Sequence, residues 1–206
     1  NGVNLPAIMQ RIYLDNAATT ALDPAVLESM MPFFTEQFGN ASSIYSFGRE
    51  ARMAIEQSRK TVAQLLEAKP GEIFFTGSGT ESSNTAIVGA VNDLHCRHII
   101  TSRIEHHATL YTVQHLEKIG KVDVSYVQLD ENGQVLLASL EALLHASKKK
   151  TLVTLMHANN EIGTIAPIRQ IADIAHKKGA LMFSDATKAA GKISIDVDRD
   201  GIDLMA

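Results

Sequence analysis

The sequence predicts an α/β chain: a mostly parallel, doubly wound sheet with helices on both faces. Three observations carry this expectation. Short apolar runs alternate with segments of helical period along the whole chain. The runs are continuously apolar rather than alternating, as strands covered on both faces are. The polar residues with chemistry in them follow directly on those runs. In open α/β sheets ligands bind in the crevice beyond the carboxyl ends of the strands, so the third observation also says where a site belongs.

Taken in order, Arg11-Ile12-Tyr13-Leu14 reads as a short strand. Asp15-Asn16-Ala17-Ala18-Thr19-Thr20 then makes a loop able to lie against a ligand or partner chain. Asp23-Pro24 opens a helix, with Asp23 as N-cap, Pro24 at the first position and Leu27, Met30 and Met31 on its apolar face. Phe38-Gly39-Asn40-Ala41-Ser42-Ser43 is a loop of turn formers. A long helix follows from about Gly48 to Leu66, with Ala51, Ile55, Val62 and Leu65 at helical spacing. Phe74-Phe75 reads as a strand running into the Gly/Ser/Thr stretch Thr76–Asn84, then a helical segment from Ala86 to Val91. His98–Thr101 is a strand with Ser102–His107 as its carboxyl-end loop. Leu110–Leu116 is helical, Val122–Leu129 a strand, Asp130-Glu131-Asn132-Gly133 a turn and Leu137–Leu144 a helix. Leu152–Met156 is a buried strand ending in His157–Gly163. Ile168–His176 is a helix closed by Lys177, Lys178 and Gly179. Leu181–Ser184 is a strand ending at Asp185, and the apolar run up to Ala206 reads as a strand beginning. Because natural termini usually sit at the surface, that last run predicts a truncated domain. The expected organisation is an N-terminal segment 1–20 and a large domain 21–206, cut short at its C-terminal end.

Composition bounds the function. With 206 residues the chain can bury one good core, about 70% of the surface exposed when unfolded. It is 45% hydrophobic and 20% charged, and its net charge of −4 gives no reason to expect a nucleic-acid partner. No run of 18 apolar residues suggests a membrane span, and a cytoplasmic location is the default expectation. A single cysteine, Cys96, rules out an internal disulfide framework and suits a reducing compartment.

The stretch Phe74–Asn84 draws the argument together. Glycines let the backbone approach a ligand, the following helix N-terminus favours an anion, and Thr80 and Ser82 add hydroxyls. The loop lacks the Lys-Ser/Thr pair of a nucleoside-triphosphate loop and the spacing of a dinucleotide fingerprint. It reads as a phosphate cup or as a plain Gly-rich turn. Asp185 has two readings as well: an N-cap for Ala186–Ala190, or a carboxylate paired with a heterocyclic N–H⁺. His106 offers a flat imidazole to a flat cofactor. His95, Cys96 and His98 raise a metal site, but they lack the paired spacing that zinc needs, so no metal is expected. Asn159 and Asn160 are turn formers or amide donors to a phenolic oxygen or a substrate carboxylate. Cys96, ahead of a strand, reads as a buried structural thiol.

These motifs, with Gly39-Asn40-Ala41-Ser42-Ser43, Glu105-His106, Met156–Gly163 and Asp185-Ala186-Thr187, resemble the cysteine desulfurases. Those are pyridoxal-phosphate enzymes of the class V aminotransferase group, with the fold-type I architecture. The resemblance runs in order over essentially the whole chain. It implies pyridoxal 5'-phosphate as cofactor, with Gly79 and Thr80 on its phosphate, His106 stacked on the ring and helping to move protons, and Asp185 on the ring nitrogen. Asn160 would contact the cofactor oxygen or the substrate carboxylate. It further implies L-cysteine as substrate, alanine as product and sulfur passed as an enzyme persulfide to an acceptor such as an iron–sulfur scaffold, in a homodimer. Selenocysteine lyases and other class V members share the motifs, and a truncated, non-catalytic dimerisation or binding module is the reading of a different class.

Three departures from the family pattern stand out. The family lysine that holds the cofactor covalently lies in a Ser-x-His-Lys stretch beyond Ala206. The persulfide cysteine and the carboxylate-binding arginine belong to a later, smaller domain, and Cys96 does not match that cysteine. The expectation is therefore that these 206 residues alone do not turn over cysteine. Lys188 stands where the family usually has Gln; a lysine there would donate to the phenolic oxygen as a cation, or bond covalently to the cofactor aldehyde itself. Smaller departures are Tyr45 for a frequent His and Gly77-Ser78 for Ser-Gly.

Overall fold

A computed structural model describes residues 12–206, which form two compact units, one through Arg52 and one over Met53–Ala206. Arg11 lies outside the described residues, and Ile12–Leu14 is irregular where a strand was expected.

In the first unit, helix α1 (Pro24–Thr35) starts as the sequence predicts. Asp23 is extended at the N-cap, and its Oδ1 accepts the Ala25 N–H at 2.8 Å. No residue of α1 is buried, so the apolar side chains of Leu27, Met30 and Met31 all keep exposed surface. The following turn is closed by Asn40, whose Oδ1 accepts the Ser42 N–H at 2.9 Å. Gly39 and Gly48 are where backbone meets backbone: a Cβ on Gly39 would run into the Phe47 carbonyl, and one on Gly48 into the Ser43 carbonyl. Helix α2 (Ser46–Leu65) begins in this unit and continues into the next.

The second unit holds α3 (Gly79–Asn92), β1 (His98–Thr101), α4 (His107–Lys118), β2 (Asp123–Tyr126), α5 (Leu137–Ala146), β3 (Thr151–Thr154), α6 (Ile168–His176), β4 (Leu181–Ser184), α7 (Val197–Asp200) and β5 (Leu204–Met205). All strand pairs are parallel, in the order β2-β1-β3-β4-β5. Successive residues of one strand supply opposite cores, as the pleat requires. Ile100, Val153 and Met182 enter a core with Leu140, Ile168 and Ile171. Ile99, Leu152 and Phe183 enter another with Ile87, Val91 and Val113. Helices thus cover both faces, and the doubly wound expectation holds.

Two local expectations fail. Phe74-Phe75 forms no strand: after a short 3₁₀ turn at Pro70–Glu72 the segment is irregular, outside every strand of the sheet. It is tied instead to α2, where the Arg59 guanidinium donates to the Ile73 carbonyl and lies 4.9 Å from the Phe75 ring centroid. Ala186–Ala190 is a series of turns rather than a helix, so Asp185 caps a turn, its Oδ1 accepting the Thr187 N–H at 3.0 Å.

Candidate active site

The strand order reverses between β1 and β3, the place where connections leave to opposite faces and open a crevice at the carboxyl ends. The loop after β1 carries His106 and the loop after β3 carries Asn160. Asp185 follows β4 directly.

Six of the residues that the sequence nominates come together. Gly79, Thr80, His106, Asn160, Asp185 and Lys188 line one pocket of about 160 Å³, with Ala108, Met156 and Thr187 completing the wall. Ser78 caps α3, its Oγ accepting the Glu81 N–H at 3.2 Å, while the Glu81 carboxylate turns back to the Gly77 N–H at 2.7 Å. That reciprocal arrangement holds the loop closed. The N–H groups of Gly79 and Thr80, first in the helix, have no intrahelical acceptor and sit at the positive end of its dipole. Ser82, expected to add a hydroxyl, does not line the pocket: its Oγ lies 2.6 Å from Thr76 Oγ1 and donates to the Ser78 carbonyl.

Asp185 is 6% exposed, a carboxylate largely out of water at the pocket wall. His106 is the N-cap of α4, and its Nδ1 accepts the Ala108 N–H at 3.1 Å. With Nδ1 used as acceptor, the proton of the neutral ring sits on Nε2. Asn160 donates from Nδ2 to Glu161 Oε1 at 2.6 Å, on a turn closed by Asn159.

Two residues, one lining the pocket and one beside it, lie in motifs quoted above but were given no role there. Thr187 lines the pocket opposite Gly79, where an added Cβ would come within 3.1 Å of its Oγ1. Its place in the Asp185-Ala186-Thr187 motif, just before Lys188, is the hint the sequence holds. Glu105 is the other: it is 5% exposed, and burial first, then the charge of Asp185, push its carboxyl up to about 8, against the pull of Ser102 and the Met156 backbone. Cys96 is fully buried and its thiol is pushed up by burial, so it is a structural residue as expected.

The arrangement fits a small, flat, phosphorylated heterocycle. One end offers N–H groups without an intrahelical acceptor to a dianion, the buried carboxylate offers a partner to a ring N–H⁺, and Gly79, lacking a Cβ, avoids crowding Thr187 on the pocket wall.

The chain is also similar to known proteins in sequence and in fold. The chain is 45% identical over 199 residues to the cysteine desulfurase IscS of Dictyoglomus turgidum, covering 96% of this chain and 50% of that protein. It is 46% identical over 200 residues to the cysteine desulfurase IscS of Clostridium botulinum, covering 96% and 49%. Among solved structures, a NifS-like protein superposes with a TM-score of 0.89 at 40% identity, covering 95% of this chain and 54% of that one. SspA in complex with cysteine superposes with a TM-score of 0.87 at 37% identity, covering 94% and 55%. The chain spans about half the length of the curated relatives it matches. The family model for class-V aminotransferases matches residues 12–206, which include every residue that builds the sheet and the pocket, and the chain belongs to that family.

Proposed function

We propose that this chain is the cofactor-binding part of a cysteine desulfurase, which converts L-cysteine to L-alanine and passes the sulfur on as an enzyme persulfide. The class-V aminotransferases are pyridoxal-phosphate enzymes, and the bound cofactor supplies an electron sink for bond breaking at the substrate carbon. The observation that carries the reading is the pairing, in one pocket, of the α3 N-terminus with the buried Asp185 carboxylate. One end suits a phosphate and the other a protonated ring nitrogen.

Each residue then has a task. The Gly79 and Thr80 N–H groups and the Thr80 hydroxyl bind the phosphate. Asp185 holds the proton on the ring nitrogen. His106 lies against the ring and offers its Nε2–H. Asn160 donates to the phenolic oxygen or the substrate carboxylate, and Lys188 donates to the phenolic oxygen as a cation, favouring its ionised form. The reading extends to a homodimer, to cytoplasmic location and to a sulfur-accepting partner such as an iron–sulfur scaffold.

Titration with pyridoxal phosphate, followed by absorbance, tests the reading. Saturable binding is expected, weakened about tenfold or more by Asp185→Asn, because a charge-assisted hydrogen bond is lost from a carboxylate that is itself largely out of water. No saturable binding, or binding indifferent to Asp185→Asn, overturns it.

A further inference from the structure

We infer that Glu105 and Asn159 are positioning residues: together they form a buried staple between the loop after β1 and the loop after β3. The staple fixes the relative places of His106 and Asn160, their neighbours in sequence.

The need for a staple follows from the sheet. β1 and β3 are paired along Ile99↔Leu152 and Ile100↔Val153, and that pairing stops one residue short of the β1 carboxyl end. Beyond it, at the reversal of strand order, no ladder holds the two loops together, yet both contribute to the pocket. Side chains must do what the backbone no longer does.

Asn159 crosses the gap. Its Nδ2 donates to the Ile104 carbonyl at 2.9 Å, while its Oδ1 accepts the Glu161 and Ile162 N–H groups at 2.8 and 3.1 Å. One amide therefore closes the turn that presents Asn160 and bonds to the loop that presents His106. Aspartate could keep the first task and not the second, since an ionised carboxylate accepts but donates nothing. Asn159 is 6% exposed, so water does not stand in for the lost donor.

Glu105 works from the other loop. Ser102 Oγ donates to its Oε1 at 2.7 Å, which shapes the Ser102–His107 bend, and the carboxyl faces the backbone of Met156 in the β3 loop. Its Oε2 has no hydrogen-bond partner among the described residues. A small cavity of about 20 Å³ is lined by Ser102, Glu105, Met156, Asn159 and Thr164, so the members of the staple meet at one spot. A neutral acid suits this place. It spares Asp185 a second negative charge nearby, and burial keeps the proton on Glu105.

The role of His106 and Asn160 toward the cofactor rests on the function proposed above; the staple itself does not. The test uses the chain with ring-labelled histidine, whose His106 NMR signal is assigned by loss in His106→Gln. Asn159→Ala, Asn159→Asp and Glu105→Ala are expected to displace the His106 signal and weaken pyridoxal phosphate binding about tenfold or more. Glu105→Gln, which mimics the neutral acid, is expected to retain both wild-type values. The double variant Glu105→Ala/Asn159→Ala is expected to lose little beyond the worse single variant, as members of one unit do. If the variants only lower the thermal midpoint, with the His106 signal and the affinity unmoved, the inference is wrong. It is equally wrong if Glu105→Gln is as damaging as Glu105→Ala. If the unmodified chain binds no pyridoxal phosphate, the proposed function falls, and the His106 signal alone decides the staple.

Discussion

Glu105 keeps its proton because the fold denies it water, and that has a measurable sign. In the unfolded chain the group ionises near the ordinary 4.5; in the fold it holds its proton up to about 8. Between those values the unfolded state binds fewer protons than the native one, so this group's stabilisation is whole below 4.5 and is lost as pH rises toward 8. The loss is at most about 1.4 kcal/mol per pH unit. Glu105→Gln cannot ionise, so urea unfolding of this variant is expected to lack that fall. Parallel curves for variant and wild type from pH 5 to 8 would show instead that Glu105 is ionised in the fold. The burial was not legible in the sequence. Glutamate beside histidine in a loop reads as a solvated pair, and only the meeting of two distant loops takes it out of water. The pocket residues were legible, because Thr80, His106, Asn160 and Asp185 each follow a short apolar or aromatic run, and parallel topology sends such positions to one edge.

At the scale of elements, His98 shows what a polar residue inside a parallel strand must do. Its Nδ1 lies 3.1 Å from Thr151 Oγ1 on β3 and its Nε2 2.9 Å from Ser125 Oγ on β2, so one ring bridges three strands. Burial pushes its proton affinity below the ordinary 6.5, with the Asp123 charge opposing and Lys149 adding to the shift. His157 is pushed the same way by burial. For a base held neutral, stability is complete above 6.5 and is lost as pH falls below it, because the unfolded chain takes up the proton first. His98→Gln is expected to cost about 1–3 kcal/mol at pH 8, where hydroxyls of Thr151 and Ser125 lose a well-placed partner. It should also flatten part of the acid-side decline, and unchanged acid sensitivity would show that His98 does not drive it. The sequence placed α6 residue for residue, since its apolar positions share one helical face and Lys177, Lys178 and Gly179 mark its end. It overextended the strand at Val122–Leu129, because Val127 and Leu129 are apolar whether or not a neighbour pairs with them. Pairing with β1 ends at Tyr126. The Phe74-Phe75 strand failed for the same reason: β propensity marks a surface that wants burial, while a strand needs a partner.

At the scale of the molecule, the doubly wound arrangement gives Met53–Ala206 two cores that share only the sheet. Phe183 and Ile171 are both fully buried, yet they lie in different cores, on opposite faces of β4. Phe183→Ala is expected to cost about 3–5 kcal/mol and Ile171→Ala about 2–5 kcal/mol, each from lost burial plus the cavity left behind. The two side chains share no partners, so the losses should add to within about 0.5 kcal/mol. The unfolding should nevertheless remain one transition, because neither layer of helices can keep its apolar face covered once the central strands separate. Urea titration followed by circular dichroism and by exchange of the β1 and β3 amides examines both statements. Additive losses with coincident transitions are the expected result. A second transition confined to one face would mean that the sheet survives the loss of one helical layer. In that case the pocket, whose residues come from loops above both cores, would open before the fold is lost.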